Sequence, residues 1–212
     1  MPLMVDYVAS LDGYGAAEGW PGLWGLESPD YLAWLDEQAL MERTLLMGAN
    51  TYRLMHGLAT SRIEGVESLG RIPKLVFSST LTAPLAWENS TLVTGDAIGA
   101  GRELKERSDR PLSTIGSVSL ARALLTAGLV DRFRVVVFPV ITGRTGQDRI
   151  YDDYPDVALE LLTSRQFDGG MQLLEYRPRV LTEPLPPGLL SQTEHPGRTA
   201  APDGRSEGAE HA

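Results

Sequence analysis

The segment from Leu112 to Gly146 narrows what this chain can fold into more than any other stretch. After Pro111, a short apolar run from Leu112 to Ile115 breaks at Gly116 and Ser117, and Leu120, Ala123, Leu124 and Ala127 then recur at the spacing of one helix face. Gly128 stops the helix, and Phe133 to Phe138 is apolar almost without interruption, as a strand covered on both faces is. Strand, tight turn, helix and buried strand make a βαβ unit. Its strand-to-helix turn is where such a unit does chemistry. Gly116 lets a ligand approach the main chain, and the N–H groups of the first helical turn face outward at the positive end of the helix dipole. An anionic cofactor fits that description.

Upstream, Met4 to Ser10 reads as a first strand and Asp12-Gly13 as a turn. The loop from Tyr14 to Glu27 holds Gly15, Gly19, Gly22 and Gly25 together with Trp20, Pro21 and Trp24. Mobile glycines and flat indoles suit a lid over a ring-shaped ligand; the alternative is that the indoles pin a long loop to the core. Ser28 and Pro29 start a helix as N-cap and first helical residue, with Leu32, Leu35 and Ala39 as its buried stripe. Asp30 falls in the first turn, where the dipole favours a carboxylate whatever the function. Thr44 to Met47 is a strand, followed by Gly48-Ala49-Asn50-Thr51 and a helix with Leu54, Met55 and Leu58 on one face. Asn50 and Thr51 can simply cap. A second strand-glycine-helix turn nevertheless suits a ligand with separated polar groups, such as a dinucleotide.

Gly57 to Pro73 reads as loop, and Lys74 to Ser78 as a strand ending in Ser78-Ser79-Thr80, whose hydroxyls either bind ribose or phosphate or form a turn. Thr91 to Thr94 is a strand, Asp96 caps a helix through Leu104, and Arg102 to Arg110 is a solvated charged stretch. Another glycine-containing turn follows Phe138 at Gly143 and Gly146, and Leu159 to Phe167 with Met171 to Tyr176 form a hairpin through Asp168-Gly169-Gly170. From Glu183 onward there are five Pro and no aromatic residue, so the expected organisation is one domain over residues 1–180 and a disordered tail over 181–212.

Composition enters as a set of exclusions. A net charge of −9 with no long basic run argues against a nucleic-acid partner. The start MPLMVDYVASLDG lacks a basic leader and meets Asp6 early, which argues against a signal peptide or membrane span, so the expected location is cytoplasmic. There is no Cys, which removes thiolate nucleophiles and thiolate metal sites. Of the three His, His195 and His211 lie in the tail and only His56 does not, which disfavours Ser-His hydrolysis and His-based metal sites. No metal site is expected, and a bound cofactor has to carry any difficult step.

Taken in order, VASLDGYGA, LLMGANTY, KLVFSST, IGSVSLARALLTAGLVDRFRVVVFPVITGRTG and FDGGMQLLEYRP resemble the dihydrofolate reductase superfamily. The resemblance is to the bacterial dihydrofolate reductase family proteins that share a domain with the pyrimidine reductase of riboflavin biosynthesis. It spans about residues 3–178. It implies a three-layer α/β/α sandwich with a mixed, mostly parallel central sheet, and NADPH across the carboxyl ends of the strands. By motif, Ala9 would meet the nicotinamide, Gly48, Asn50 and Thr51 with Gly116, Ser117, Val118 and Leu120 the phosphates, and Ser78 and Ser79 the adenosine ribose. Ala49 stands where relatives often carry an Arg for the 2′-phosphate, leaving Arg53 as its substitute and NADH as an alternative cofactor. The resemblance also makes a homodimer the expected assembly.

The expected activity is therefore that of an NAD(P)H-dependent oxidoreductase, passing hydride to a small conjugated pterin-, pyrimidine- or flavin-like substrate. Asp12, Trp20 and Trp24 are its expected substrate contacts, and Asp30 or water its proton donor. Two other readings remain: a nucleotide-binding or sensory module with the same cleft and no turnover, and a phosphate-ester hydrolase built on the same turns.

Overall fold

A computed structural model describes residues 1–19, 24–61 and 66–185. In chain order they form strand Leu3–Ser10 (β1), strand Tyr14–Ala17 (β2), helix Pro29–Leu40 (α1), strand Thr44–Gly48 (β3), helix Ala49–Thr60 (α2), strand Lys74–Phe77 (β4) and strand Ser90–Val93 (β5). Helix Ala97–Arg107 (α3), strand Leu112–Thr114 (β6), helix Val118–Thr126 (α4) and strands Arg132–Phe138 (β7), Gly146–Arg149 (β8), Val157–Gln166 (β9) and Gln172–Val180 (β10) complete them. Met1–Leu181 is one compact unit; of the remaining segment, Thr182–Ala212, residues 182–185 are described, so most of the expected tail lies outside the described residues. Among the described residues no helix is long and apolar enough to cross a membrane.

The predicted βαβ unit is present, and its two strands flank a third. β1 lies between β6 and β7 and pairs in parallel with both, so α4 carries the chain over it. The whole sheet runs β5-β4-β3-β6-β1-β7-β10-β9, parallel through β7, with β10 antiparallel to both β7 and β9. This is the expected mixed, mostly parallel sheet in a three-layer fold.

Alternation along β1 decides which layer each residue serves. Leu3, Val5, Tyr7 and Ala9 are buried with Leu120, Ala121, Leu124 and Leu125 of α4. Val8 turns the other way, towards Tyr31 and Trp34 of α1 and Val136 and Phe138 of β7. Tyr52 of α2 packs with Leu45 and Met47 of β3, Val76 of β4, and Trp87. Lys74, wholly buried at the start of β4, donates to the carbonyls of Leu69, Gly70 and Ile72 at 2.8, 3.0 and 2.6 Å and lies 4.5 Å over the Trp87 ring.

Three local expectations are corrected. The Tyr14 loop begins as a strand: β2 pairs antiparallel with β8, and its Tyr14 ring occupies the space where a Cβ on Gly146 would stand, 2.5 Å from the ring. Gly57 to Pro73 is not all loop, because α2 continues to Thr60 and Glu67–Arg71 forms a 3₁₀ turn. The buried stripe of α1 is Tyr31, Trp34 and Gln38, one residue out of step with Leu32, Leu35 and Ala39. The larger aromatic surface takes the core-facing side, with Tyr31 at 5.5 Å from Phe138 and 5.3 Å from Phe167.

Asp12 ties the carboxyl end of β1 to the segment after β7. Its carboxylate accepts from the Ser10 hydroxyl at 2.7 Å and from the main-chain N–H groups of Gly143 and Thr142 at 2.9 and 3.2 Å. Desolvation pulls its pKa up, but the hydrogen bonds from Ser10, Gly143 and Thr142 outweigh it and bring the value down to about 2 from 3.8. A carboxyl whose pKa is depressed by folding contributes stability that is present above its unfolded pKa and lost as pH falls through the folded value. Asp12→Asn should therefore lower the urea midpoint at neutral pH, keep that deficit down to about pH 4, and converge with the parent as pH approaches about 2.

Candidate active site

A cavity of about 850 Å³ opens at the carboxyl ends of β3 and β6 and extends down the α1 side of β1 and β7. Chain direction across the sheet reverses there: from β3 it proceeds to β4 and β5, and from β6 it crosses over β1 to β7. Open α/β sheets bind ligands at such a switch point because the flanking loops part and leave a crevice.

Two turns form one wall, and a single hydroxyl joins them. Ser117 Oγ accepts from the Gly48 N–H at 2.8 Å and donates to Thr51 Oγ1 at 2.7 Å. Gly116 and Ser117 both adopt left-handed backbone, with φ of 52° and 60°. For Ser117 that conformation is costly, on the order of 1 kcal/mol, and the hydroxyl link holds it. Neither α2 nor α4 has a side chain capping its first turn, whereas Asp96 caps α3 by accepting from Ile98 N at 2.9 Å. The first-turn N–H groups of two helices are thus left side by side at the cavity.

Leu32, Leu35 and Ala39 of α1 and Leu54, Met55 and Leu58 of α2 line the cavity. Those helical faces look like core in the sequence because they are apolar, yet they bound a space. The inner end is polar. Asp6 on β1 and Arg134 on β7 are paired in register and form a bidentate ion pair, Nε to Oδ1 at 3.0 Å and Nη2 to Oδ2 at 2.6 Å. Arg134 also donates to Gln38 Oε1 at 2.7 Å and lies 4.9 Å over the Trp34 ring. Burial alone would lower the pKa of this guanidinium, but the Asp6 carboxylate reverses the shift and raises it. Arg43, in the connection from α1 to β3, donates through Nη1 to the Gln38 carbonyl.

Residues 2–173 match the model of the RibD C-terminal domain. The chain belongs to that family. The RibD-type domain is reductase-like and has a dihydrofolate reductase-like fold. This chain is 22% identical over 179 residues to YyaP of Bacillus subtilis (strain 168), an uncharacterized protein, covering 82% of this chain and 93% of YyaP. It superposes on a protein from Shewanella sp. PV-4 that is provisionally assigned to riboflavin biosynthesis, with a TM-score of 0.67 at 21% identity, over 84% of this chain and 99% of that one. A pyrimidine reductase-like protein from Corynebacterium diphtheriae gives a TM-score of 0.60 at 16% identity, over 84% and 92%. The diaminohydroxyphosphoribosylaminopyrimidine deaminase/5-amino-6-(5-phosphoribosylamino)uracil reductase of Thermotoga maritima gives 0.60 at 17% identity, over 84% of this chain and 56% of that one.

Within this RibD-type domain, Gly48, Asn50, Thr51, Gly116, Ser117, Val118 and Leu120 all line the cavity. Of the two glycines only Gly116 is conformationally demanding: Gly48 has φ of −87°, and a Cβ there would meet just Ser117 Oγ at 3.7 Å. Several other expected site residues lie outside the cavity lining. Ala9 is fully buried in the core shared with α4. Ser78 Oγ accepts from the N–H groups of Thr80 and Leu81, both at 3.0 Å, which is turn formation, and Ser79 is exposed beside it. Arg53 is exposed and donates to Asn50 Oδ1 at 3.3 Å. The Asp12 carboxylate serves the tie described above. Asp30 accepts from Ser28 Oγ at 2.5 Å and from the N–H of Asp168, outside the cavity lining. The Ser28 hydroxyl leads the interactions that lower its pKa, which is the wrong direction for a proton donor near neutrality.

The lid expectation for Trp24 is likewise corrected, while Trp20 lies outside the described residues. Trp24 is buried, 5.3 Å from Phe138, in the cluster that also holds Tyr31 and Trp34. The inner polar group escaped sequence reading altogether. Its available signal was a lone acid in MVDYVAS and a lone base in FRVVVF, each inside an apolar strand. Trp24→Ala should lower unfolding free energy by about 3–5 kcal/mol, the cost of removing a buried aromatic. Denaturant titrations should show the same loss with and without dinucleotide.

Proposed function

We propose that this domain is an NAD(P)H-dependent reductase of a small conjugated ring, pterin-, pyrimidine- or flavin-like. The observation that carries the reading is the pair of uncapped helix N-termini, joined by Ser117, at the mouth of a cavity whose walls from α1 and α2 are aliphatic. A dinucleotide fits such a wall. Its pyrophosphate can accept from first-turn N–H groups of α2 and α4, and Gly116 leaves the main chain approachable. When bound, NADPH supplies the reducing equivalents. Arg53, beside Asn50, is the cation at hand for a 2′-phosphate in the absence of one at Ala49. Leu32, Leu35, Leu54 and Met55 hold a flat substrate and exclude water. With Asp30 outside the cavity lining and Asp6 paired with Arg134, the proton comes from water or from Asp148, the other carboxylate of the lining.

The family's named relatives support the same class of activity, since one is a uracil-derivative reductase and another is pyrimidine reductase-like. The test is oxidation of NADPH and NADH against a panel of pterins, pyrimidines, flavins and quinones. Tight dinucleotide binding with no oxidation across the panel would replace the reductase by a binding module.

Gly48→Asp separates folding from binding. The position needs no left-handed backbone, and Asp is at least as good an N-cap as Gly, so stability should stay within a few tenths of a kcal/mol or rise. A carboxylate at the phosphate position adds repulsion of about a few kcal/mol, hence a hundredfold or greater loss of NADPH affinity. Parent-like affinity in this folded variant, measured by calorimetric titration, would remove the phosphate site from this wall.

A further inference from the structure

The cavity lining carries a positive charge, that of Arg43, with which no described carboxylate forms an ion pair. Asp6 and Arg134 neutralise one another. Arg122, which also lines the cavity, is paired with Asp153 at 2.8 Å. Arg43 lines the same cavity, and among the described residues no carboxylate forms an ion pair with it. Nη1 is anchored on the Gln38 carbonyl and the buried Nε has no partner, so Nη2, which is neither buried nor hydrogen-bonded, is the donor left open. Gln38 is in turn fixed by Arg134 through its side chain. The guanidinium is thus braced from one side with a donor unused.

Burial lowers the pKa of Arg43, and of its charged neighbours Asp6 opposes that shift while Arg134 adds to it. A water molecule can satisfy the open N–H but leaves the charge uncompensated in apolar surroundings. An anion satisfies both. Carboxylates match the planar guanidinium better than any neutral acceptor, through short charge-assisted bonds. The neighbouring walls are aliphatic, from Leu35 of α1 and Met55 of α2, which favours a flat apolar body behind the anionic group.

We propose that Arg43 is a substrate-specificity residue, and that the ring accepted by this cavity carries a carboxylate held by the Arg43 guanidinium. The inference rests on reading the cavity as the substrate pocket of the reductase; it assigns the anchoring end of the substrate and leaves the reacting carbon near the helix N-termini.

The test uses matched probes on the full chain, without dinucleotide and again with saturating NADPH: quinoline-2-carboxylate against quinoline-2-carboxamide, and pterin-6-carboxylate against its amide. Ligand-observed NMR titration should show the parent binding each carboxylate at least about tenfold more tightly than its amide. Arg43→Gln should abolish the preference and leave NADPH affinity unchanged. Arg43→Lys keeps the charge without the fork and should retain a reduced preference. It carries the test if the Gln variant loses its circular dichroism signature. A parent that binds neither carboxylate, or binds both members of each pair alike, overturns the proposal, as does parent-like preference in either variant. Loss of the reductase reading looks different: carboxylate preference intact, with no dinucleotide binding. The proposal alone fails if NADPH binds and the carboxylates are ignored.

Discussion

Seven consecutive residues of β1, Met4 to Ser10, pair in parallel with Arg132 to Phe138 of β7, and most of what this domain does depends on that register. Because side chains alternate across a strand, the register sends Val5, Tyr7 and Ala9 to the α4 layer and leaves Asp6 and Val8 facing the α1 layer. A slip of one residue would bury Asp6 against Leu124 and Leu125 and expose the apolar set to the cavity. The same ladder places Asp6 directly opposite Arg134. Pairing these two charges is thus a result of strand alignment as much as of attraction.

That pair is buried at the Arg134 end, where the side chain is 8% exposed, so its formation costs desolvation on both groups. Buried ion pairs contribute little net stability, and removing one partner costs about 3–5 kcal/mol because the other charge is left alone. Two leucines of matched volume could hold the strands together as well. What leucines could not do is orient Gln38 or present a polar end inside an aliphatic cavity. Stability and recognition are therefore assigned to different residues on adjacent strands: Val8 and Val136 pack, while Asp6 and Arg134 organise polar contacts.

The sheet, its helices and both glycine turns were legible in the sequence because periodicity, glycine and proline act locally. Leu112 to Phe138 announces a βαβ unit from spacing alone, and Ser28-Pro29 marks the start of α1. The cavity was not legible in the same way. Leu54 and Leu35 read as core residues, and only the separation of the helices across the sheet shows that their faces border a void. Asp12 and Asp30 read as chemistry because carboxylates near turns often are; in three dimensions each is consumed by hydrogen bonds to amides distant in sequence, Gly143 and Asp168. Arg43 had no local signature, since its significance lies in which acid is missing nearby. Long-range pairing decided each of these cases, and short-range pattern carries no information about it.

The Ser117 link has a directional consequence. A main-chain N–H can only donate, so Gly48 fixes the Ser117 oxygen as acceptor on one side, and the Ser117 proton is directed to Thr51. Thr51 Oγ1 accepts that hydrogen bond and keeps its own O–H to donate. Three groups from two turns thus form a one-way relay, each bond polarising the next, that ends in a hydroxyl donor on a residue lining the cavity. The two helix starts then act as one extended source of positive potential, tuned through a side chain whose own backbone strain is the cost of standing between them.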